Sequence, residues 1–454
     1  MKRLNFLQRS FLLLFLSLSW MAQGQVTSKT ALRSYIANSD SSFAWELRDS
    51  ILLDDVVAYQ LKLTSQTWRK TPWIHELTIF IPTNLSHKKA LLFVTGGTIQ
   101  DDSVRFVKQD NYVDYLSDIA LKNSAVTAVL RQVPRQPLYN NLDEDALISY
   151  TFHQFLKDKD YTWPLLLPMT KSAVRAMDAI QQFTVSHTKK SVSTFVVSGA
   201  SKRGWTTWLT AASRDKRVKA IAPMVIDILN MPVSVTYQQD MYGDYSIQIQ
   251  DYVNLGLTET AKRAEGNELL EMVDPYSYRS QLKVPKMLIL ATNDEYWTAD
   301  AVKNYIGDIP GKNYLSYVPN RGHSMGDKSF SFNTLNAFFA QTIQGGKYSR
   351  CDYKLNETDG KIKLEIRATA SLLEDVVVWE GVSDSKDFRK SVFHERSLGI
   401  SGKKKFEVTI DYPSANTFKA FHVALKYKSP TGGSYFQSTR VFVTDAQKVF
   451  PIVK

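Results

Sequence analysis

Cysteine is almost missing from this chain of 454 residues, where Cys351 stands alone. One cysteine cannot close an internal disulfide, so the fold has to hold by its core. Histidine is scarce too, with seven in all, and the scattered histidines lead us to expect no metal site and no cofactor. His75-Glu76 opens as a zinc-helix signature would, but no second histidine comes at the required spacing. Long internal repeats and low-complexity tracts are absent, and after the N-terminus no apolar run approaches the roughly 18 residues of a membrane-spanning helix. The formal charge is +11, yet the densest basic cluster is only Lys403, Lys404 and Lys405. That scatter argues against a nucleic-acid partner and suits solubility, or weak attraction to an anionic envelope surface. Nothing in the pattern specifies an oligomeric state.

The N-terminus carries an export pattern. Lys2, Arg3 and Arg9 precede the short apolar stretch Phe11 to Met21, and Ala22-Gln23-Gly24 supplies small residues at the usual cleavage positions. We read residues 1–24 as a signal peptide and the mature protein as exported, either periplasmic or secreted. Removing the three basic residues of the leader lowers +11 to +8. The remaining chain, of about 430 residues, is long enough for two or three domains, and 44% hydrophobic residues provide for a large core.

Strand-like runs recur at Glu76–Ile81, Ala90–Thr95, Ala125–Val133, Thr194–Val197, Val218–Val225, Met287–Ala291 and Tyr314–Val318. Several are almost wholly apolar, as expected of parallel strands covered on both faces. Helical patterns fall between them at Asp110–Lys122, Asp143–Lys157, Thr170–Phe183, Gly204–Ser213 and Ser331–Ile343. This alternation predicts a doubly wound α/β sheet across residues 25–346. Residues 25–72 read as mixed and polar, with Trp45 and Trp68 as packing anchors. A tyrosine- and glutamine-rich stretch, about 230–282, breaks the rhythm and is expected to be a cap insertion over the site. Beyond residue 346 short alternating segments such as Lys361–Ala368 predict a small β-sandwich, of immunoglobulin or fibronectin type, over 347–454.

The chemistry concentrates in Ser193-Thr-Phe-Val-Val-Ser-Gly-Ala-Ser-Lys-Arg-Gly-Trp205. Strand, tight turn with Ser201, then helix is the layout of a nucleophile elbow at the top of an α/β-hydrolase sheet. Gly199 supplies the small residue needed two places before the serine. The place two after holds Arg203, and the glycine comes one later, at Gly204. Serine beside glycine is also ordinary turn chemistry, so the weight of Ser201 depends on partners elsewhere in the chain. Such a serine needs a general base and an acid that orients it. The run Met287–Ala291 leads into Asp294, and Tyr314–Val318 leads into His323, giving the order serine, acid, histidine at the ends of successive strands. Glu295 and Asp300 compete for the acid, Asp300 being explicable as a helix N-cap. Oxyanion donors would be the backbone N–H of Lys202 and that of Gly97 or Thr98, in the glycine loop after Leu91–Thr95. That loop is equally a plain strand-to-helix turn. Trp205, Trp297 and Tyr242 are candidate pocket residues, or simply core. Ser-x-x-Lys at Ser86, Ser186 and Ser280 lacks partner motifs, and Thr95-Gly-Gly-Thr lacks the spacing of a phosphate loop.

Gly199-Ala-Ser-Lys-Arg-Gly-Trp-Thr-Thr-Trp-Leu-Thr-Ala-Ala and Arg217-Val-Lys-Ala-Ile-Ala-Pro resemble the PhoPQ-activated pathogenicity-related proteins. Pro168-Met-Thr-Lys, Gln132-Val-Pro, Gln136-Pro-Leu, Glu144-Asp-Ala, Asp227-Ile-Leu-Asn-Met and Asn293-Asp-Glu-Tyr are similar to that family as well. The likeness spans roughly residues 30 to 345. It implies an exported α/β-hydrolase-like protein with its serine in the Ser-Lys-Arg-Gly-Trp turn, and it accounts for Arg203 as a family trait. Arg135 departs from the asparagine expected before Gln-Pro-Leu. Two functions remain: a serine hydrolase acting on an ester or amide, including a peptide, and a non-catalytic envelope or secreted binding protein on a hydrolase scaffold.

Overall fold

The computed structural model describes residues 25–99, 106–188, 190–263 and 267–452, so the expected leader lies outside the described residues. Three antiparallel strands open the sheet: β1 (Ala44–Leu53), β2 (Val56–Trp68) and β3 (Thr71–Pro82). Six more follow, β4 (Lys89–Val94), β5 (Val126–Leu130), β6 (Thr194–Ala200), β7 (Val218–Met224), β8 (Lys286–Ala291) and β9 (Asn313–Val318). Their spatial order is β1-β2-β3-β5-β4-β6-β7-β8-β9, antiparallel at β3–β5 and parallel beyond. With helices on both faces, this is the α/β-hydrolase type of doubly wound sheet.

The helices are α1 (Ser28–Ile36), α2 (Asn111–Asn123), α3 (Glu144–Asp158), α4 (Leu166–His187), α5 (Lys202–Ala212), α6 (Met231–Tyr242), α7 (Gln250–Val253), α8 (Leu257–Ala261), α9 (Glu268–Val273) and α10 (Ser329–Ile343). Successive residues of a strand point to opposite faces. In β6, Phe195 and Val197 enter the core shared with α3, α4 and α5, while Val196 enters the one shared with α2 and α10. Both faces are dry, which is why the run is apolar rather than alternating. Asp110 caps α2 by accepting from the Val113 N–H at 2.9 Å. The connection from β7 to β8 carries α6 to α9 and forms the insertion beside the strand ends.

Residues 25–72 differ from expectation. They form α1, β1, the whole of β2 and the start of β3, and Trp68 is buried while Trp45 is half-buried, its Nε1 donating to Gln182 at 2.7 Å. As the edge strand β1 is largely exposed, and Glu46, Arg48 and Asp49 erase the apolar alternation that would reveal it. Helix α4 starts at Leu166, ahead of the expected Thr170, because Pro168 falls in its first turn, where a missing N–H breaks no hydrogen bond.

The C-terminal strands form two facing layers. One is β10 (Cys351–Thr358), β11 (Lys361–Ala368) and β14 (Lys405–Asp411). The other comprises β12 (Leu373–Ser383), β13 (Phe393–Ser397), β15 (Phe418–Lys428), β16 (Ser434–Ser438) and β17 (Phe442–Thr444). Ile362, Leu364, Val376, Val378 and Phe421 fill the space between them as a β-sandwich. The second layer also joins the main sheet, through pairing of Ser438 in β16 with Leu315 in β9.

Candidate active site

The turn after β6 holds Ser201 at φ 58° and ψ −127°, a conformation that side chains rarely adopt and that surrounding contacts must enforce. The Ser201 N–H donates to the Met224 carbonyl at 2.9 Å, pinning the turn to the end of β7. Two glycines make the turn possible. A β-carbon at Gly199 would sit 2.8 Å from the carbonyl oxygens of Val94 and Arg203. At Gly204 it would sit 2.8 Å from the Met224 carbonyl and the Ile226 side chain, so this is where the helix meets the strand.

Ser201, His323 and Asp294 come together from the ends of β6, β9 and β8. His323 Nε2 lies 2.7 Å from Ser201 Oγ, and its Nδ1 lies 2.9 Å from each Asp294 oxygen. Burial pushes the Asp294 carboxyl above its ordinary range, while the hydrogen bond and charge of His323 pull it back. The Tyr296 N–H also donates to Asp294, at 2.9 Å, and the Tyr296 ring packs 4.2 Å from the His323 ring. Glu295 has a separate place, accepting the His323 backbone N–H at 2.7 Å. A β-carbon at Gly322 would collide with that carboxylate. Asp300 precedes a short helical turn, but its side chain makes no capping bond there, contrary to the expectation from sequence. Its buried carboxylate instead accepts from Lys303 at 2.7 Å and from the Tyr237 hydroxyl at 3.0 Å.

Lys202 opens α5, where a backbone N–H has no partner within the helix. Gly97 and Thr98 are exposed, just past the end of β4. Since Val94 pairs with Gly199, their loop stands beside the Ser201 turn. Trp205 and Trp297 both line a recess that Ser201 also lines, about 80 Å³ in volume. Tyr242 corrects the expectation, being outside that lining. Its hydroxyl donates to the Trp297 carbonyl at 2.8 Å, so it supports the wall from behind.

Beneath the turn lies a charged network that sequence reasoning missed. The Arg203 guanidinium donates to the Val133 carbonyl and, in two parallel bonds of 2.8 and 2.6 Å, to Glu144. Gln136 grips Glu144 twice, accepting its N–H at 2.9 Å and donating to its carboxylate at 2.6 Å. Burial works against the Glu144 anion, but Arg203 prevails and brings its pKa down to about 2. Gly96 borders this network too, since a β-carbon there would come 2.5 Å from the Arg203 guanidinium and push it from its place. Next to this network the Lys202 ammonium meets Asp145 at 2.6 Å and Glu144 at 3.5 Å. Burial opposes the ammonium, and the two carboxylates more than offset it, raising its pKa. The available signal was the cluster Gln136-Pro-Leu, Glu144-Asp-Ala and Lys202-Arg203, spread over three segments. Arg135 is half-buried, donates to the Pro137 carbonyl at 3.2 Å, and is not part of the recess lining.

Among solved structures, the chain is similar to acetyl xylan esterase 1 from Thermoanaerobacterium sp. JW/SL YS485, at 15% identity and TM-score 0.46, covering 67% of this chain and 90% of that one. It is similar also to an S-formylglutathione hydrolase from Agrobacterium tumefaciens, at 11% identity and TM-score 0.44, covering 66% and 99%. A curated relative, autocrine proliferation repressor protein A of Dictyostelium discoideum, is 31% identical over 403 residues, covering 84% of this chain and 79% of the relative. Residues 32–389 match the family described as PhoPQ-activated pathogenicity-related protein. With most of its length matched by both the family and the curated relative, the chain belongs to the PhoPQ-activated pathogenicity-related protein family.

Proposed function

We propose that this protein is an exported serine hydrolase that cleaves esters or amides through Ser201, His323 and Asp294. The observation that carries the reading is the unbroken hydrogen-bonded line from Ser201 Oγ through both His323 nitrogens to Asp294. Ser201 Oγ attacks the substrate carbonyl as its proton passes to His323 Nε2. Asp294 holds the ring in the tautomer that leaves Nε2 free to accept. The bond to the leaving group then breaks, and the leaving oxygen or nitrogen takes the proton from His323. Water attacks the acyl-enzyme and gives a proton to the same histidine; the bond from the acyl carbon to Ser201 Oγ then breaks, Oγ takes that proton back from His323, and the acid departs. Donors for the oxyanion are the Lys202 N–H and one from Gly97 or Thr98. Export rests on the leader in residues 1–24, and N-terminal sequencing of the released protein should begin near Gln25.

The test is labelling of the purified mature protein by a fluorophosphonate. Labelling that disappears in Ser201→Ala and His323→Ala is the expected outcome. A folded wild type that stays unlabelled supports the second reading, a secreted binding protein. That reading draws on the Dictyostelium relative, whose name describes autocrine repression of proliferation and no catalysis.

A further inference from the structure

The recess beside Ser201 is built from the elbow, α3, the β7–β8 insertion and the loop after β8. Phe152, Trp205, Val235, Leu257, Leu270 and Trp297 are among its walls, and each is at least nine-tenths buried even though it borders open space. Among the described residues, the charged ones in the lining are Asp145 and Lys202. Neither is available to a ligand. Asp145 is occupied by Lys202 at 2.6 Å, by the Tyr252 hydroxyl at 2.9 Å and by the Tyr296 hydroxyl at 3.3 Å. Glu144, just behind, is held by Arg203 and Gln136. Among the described residues these two carboxylates balance these two cations, and Asp251, whose carboxyl is pushed up by burial and by nearby Asp145, lies outside the lining, so the wall itself offers no unpaired partner for a substrate ammonium or carboxylate. What it offers is apolar surface touching the nucleophile.

We infer that this recess holds the acyl group of a neutral ester with an apolar acyl chain, an inference that rests on the serine hydrolase reading. The distinction between acyl and alcohol parts comes from the order of steps. The alcohol has to leave before water can attack, and so needs an open route. The acyl chain stays joined to Ser201 Oγ through both steps, and a recess walled by buried side chains suits that longer stay. Burial of each methylene should improve transition-state binding until the space is full, roughly fourfold per carbon.

The experiment compares p-nitrophenyl esters from acetate to dodecanoate with alkyl acetates in which only the alcohol lengthens. The expected result is kcat/KM rising roughly fourfold per acyl methylene to an optimum and then falling, with little response to the alcohol. Val235→Phe should move the optimum to shorter chains and Leu257→Ala to longer ones, each variant first shown to be folded by its thermal transition. A flat acyl profile in a protein that the fluorophosphonate labels overturns the inference and leaves the hydrolase reading standing. Dependence on the alcohol alone overturns it too, as does preference for an aminoacyl anilide over its N-acetylated form. Absence of labelling in the folded protein removes the reading and the inference together.

Discussion

Ser201 is held at φ 58° by contacts that leave no room at its two flanking glycines. Gly199→Ala should therefore cost about 2–3 kcal/mol, because the atoms it meets are strand and helix carbonyls that cannot swing aside. Chemical denaturation of the folded variant measures this directly. On the proposed mechanism Asp294→Asn should keep the fold but lower kcat about 10⁴-fold in steady-state ester hydrolysis, since an amide facing His323 favours the wrong tautomer. A third residue, Asp227, answers to pH. Burial pushes its carboxyl from 3.8 up to about 8, partly opposed by the Tyr305 hydroxyl at 2.6 Å, with Asp294 and Asp300 pushing the same way as burial. The folded chain keeps this proton where the unfolded chain has lost it, so stability falls as the pH rises from about 4 to about 8. Asp227→Asn removes that loss, and its melting temperature should gain about 5 °C on wild type over that range. The glycines of the turn were legible because steric need restricts residue type. Tyr242 was not, since a tyrosine-rich stretch says nothing about which way each ring points.

At the scale of elements, the glycine-bearing turn is tied to α3 by the Arg203–Glu144 pair. The Glu144 carboxyl stands at about 2 in the folded chain against an ordinary 4.5. A depressed value means that the tie contributes fully above pH 4.5 and is lost as the pH falls toward 2. Glu144→Gln should cost about 1–2 kcal/mol at neutral pH, since a carboxylate one-third exposed is worth less than a fully buried one. The gap from wild type should close at low pH, and urea titrations at pH values on either side of that window would show it. The strands from β3 to β9 were legible in outline as apolar runs separated by helical periodicity. The edge strand β1 was not, because it is only partly covered, and the charged residues Glu46, Arg48 and Asp49 break the patterning that burial imposes. The convergence of the loops after β6, β8 and β9 could be read from strand order alone. The Gln136–Glu144–Arg203 network could not, as it joins segments whose separation in sequence gives no distance.

Across the whole molecule, the sandwich reaches the site through the connection between β12 and β13. Asn293, next to Asp294, donates to the carbonyls of Phe388 at 3.0 Å and Ser391 at 2.7 Å. Asn320, three residues before His323, accepts the Phe393 N–H at 2.7 Å and donates to its carbonyl at 2.8 Å. Both loops that carry the histidine and its acid are thus fastened to one segment of the C-terminal layer. That segment also places the Arg389 guanidinium 4.0 Å over the Tyr242 ring, behind the Trp297 wall of the recess. If the proposed chemistry holds, the two contacts have separable effects. Asn320→Ala loosens the histidine loop and should lower kcat by about tenfold to a hundredfold, a misplacement of under an ångström being enough, with KM little changed. Arg389→Ala loosens the recess wall and should act mainly on KM. Steady-state kinetics on a good acyl ester distinguishes this from simple destabilisation, which would lower the melting temperature of both variants without dividing kcat from KM. Equal changes in both constants for the two variants would mean that the sandwich supports the fold and does not position the site.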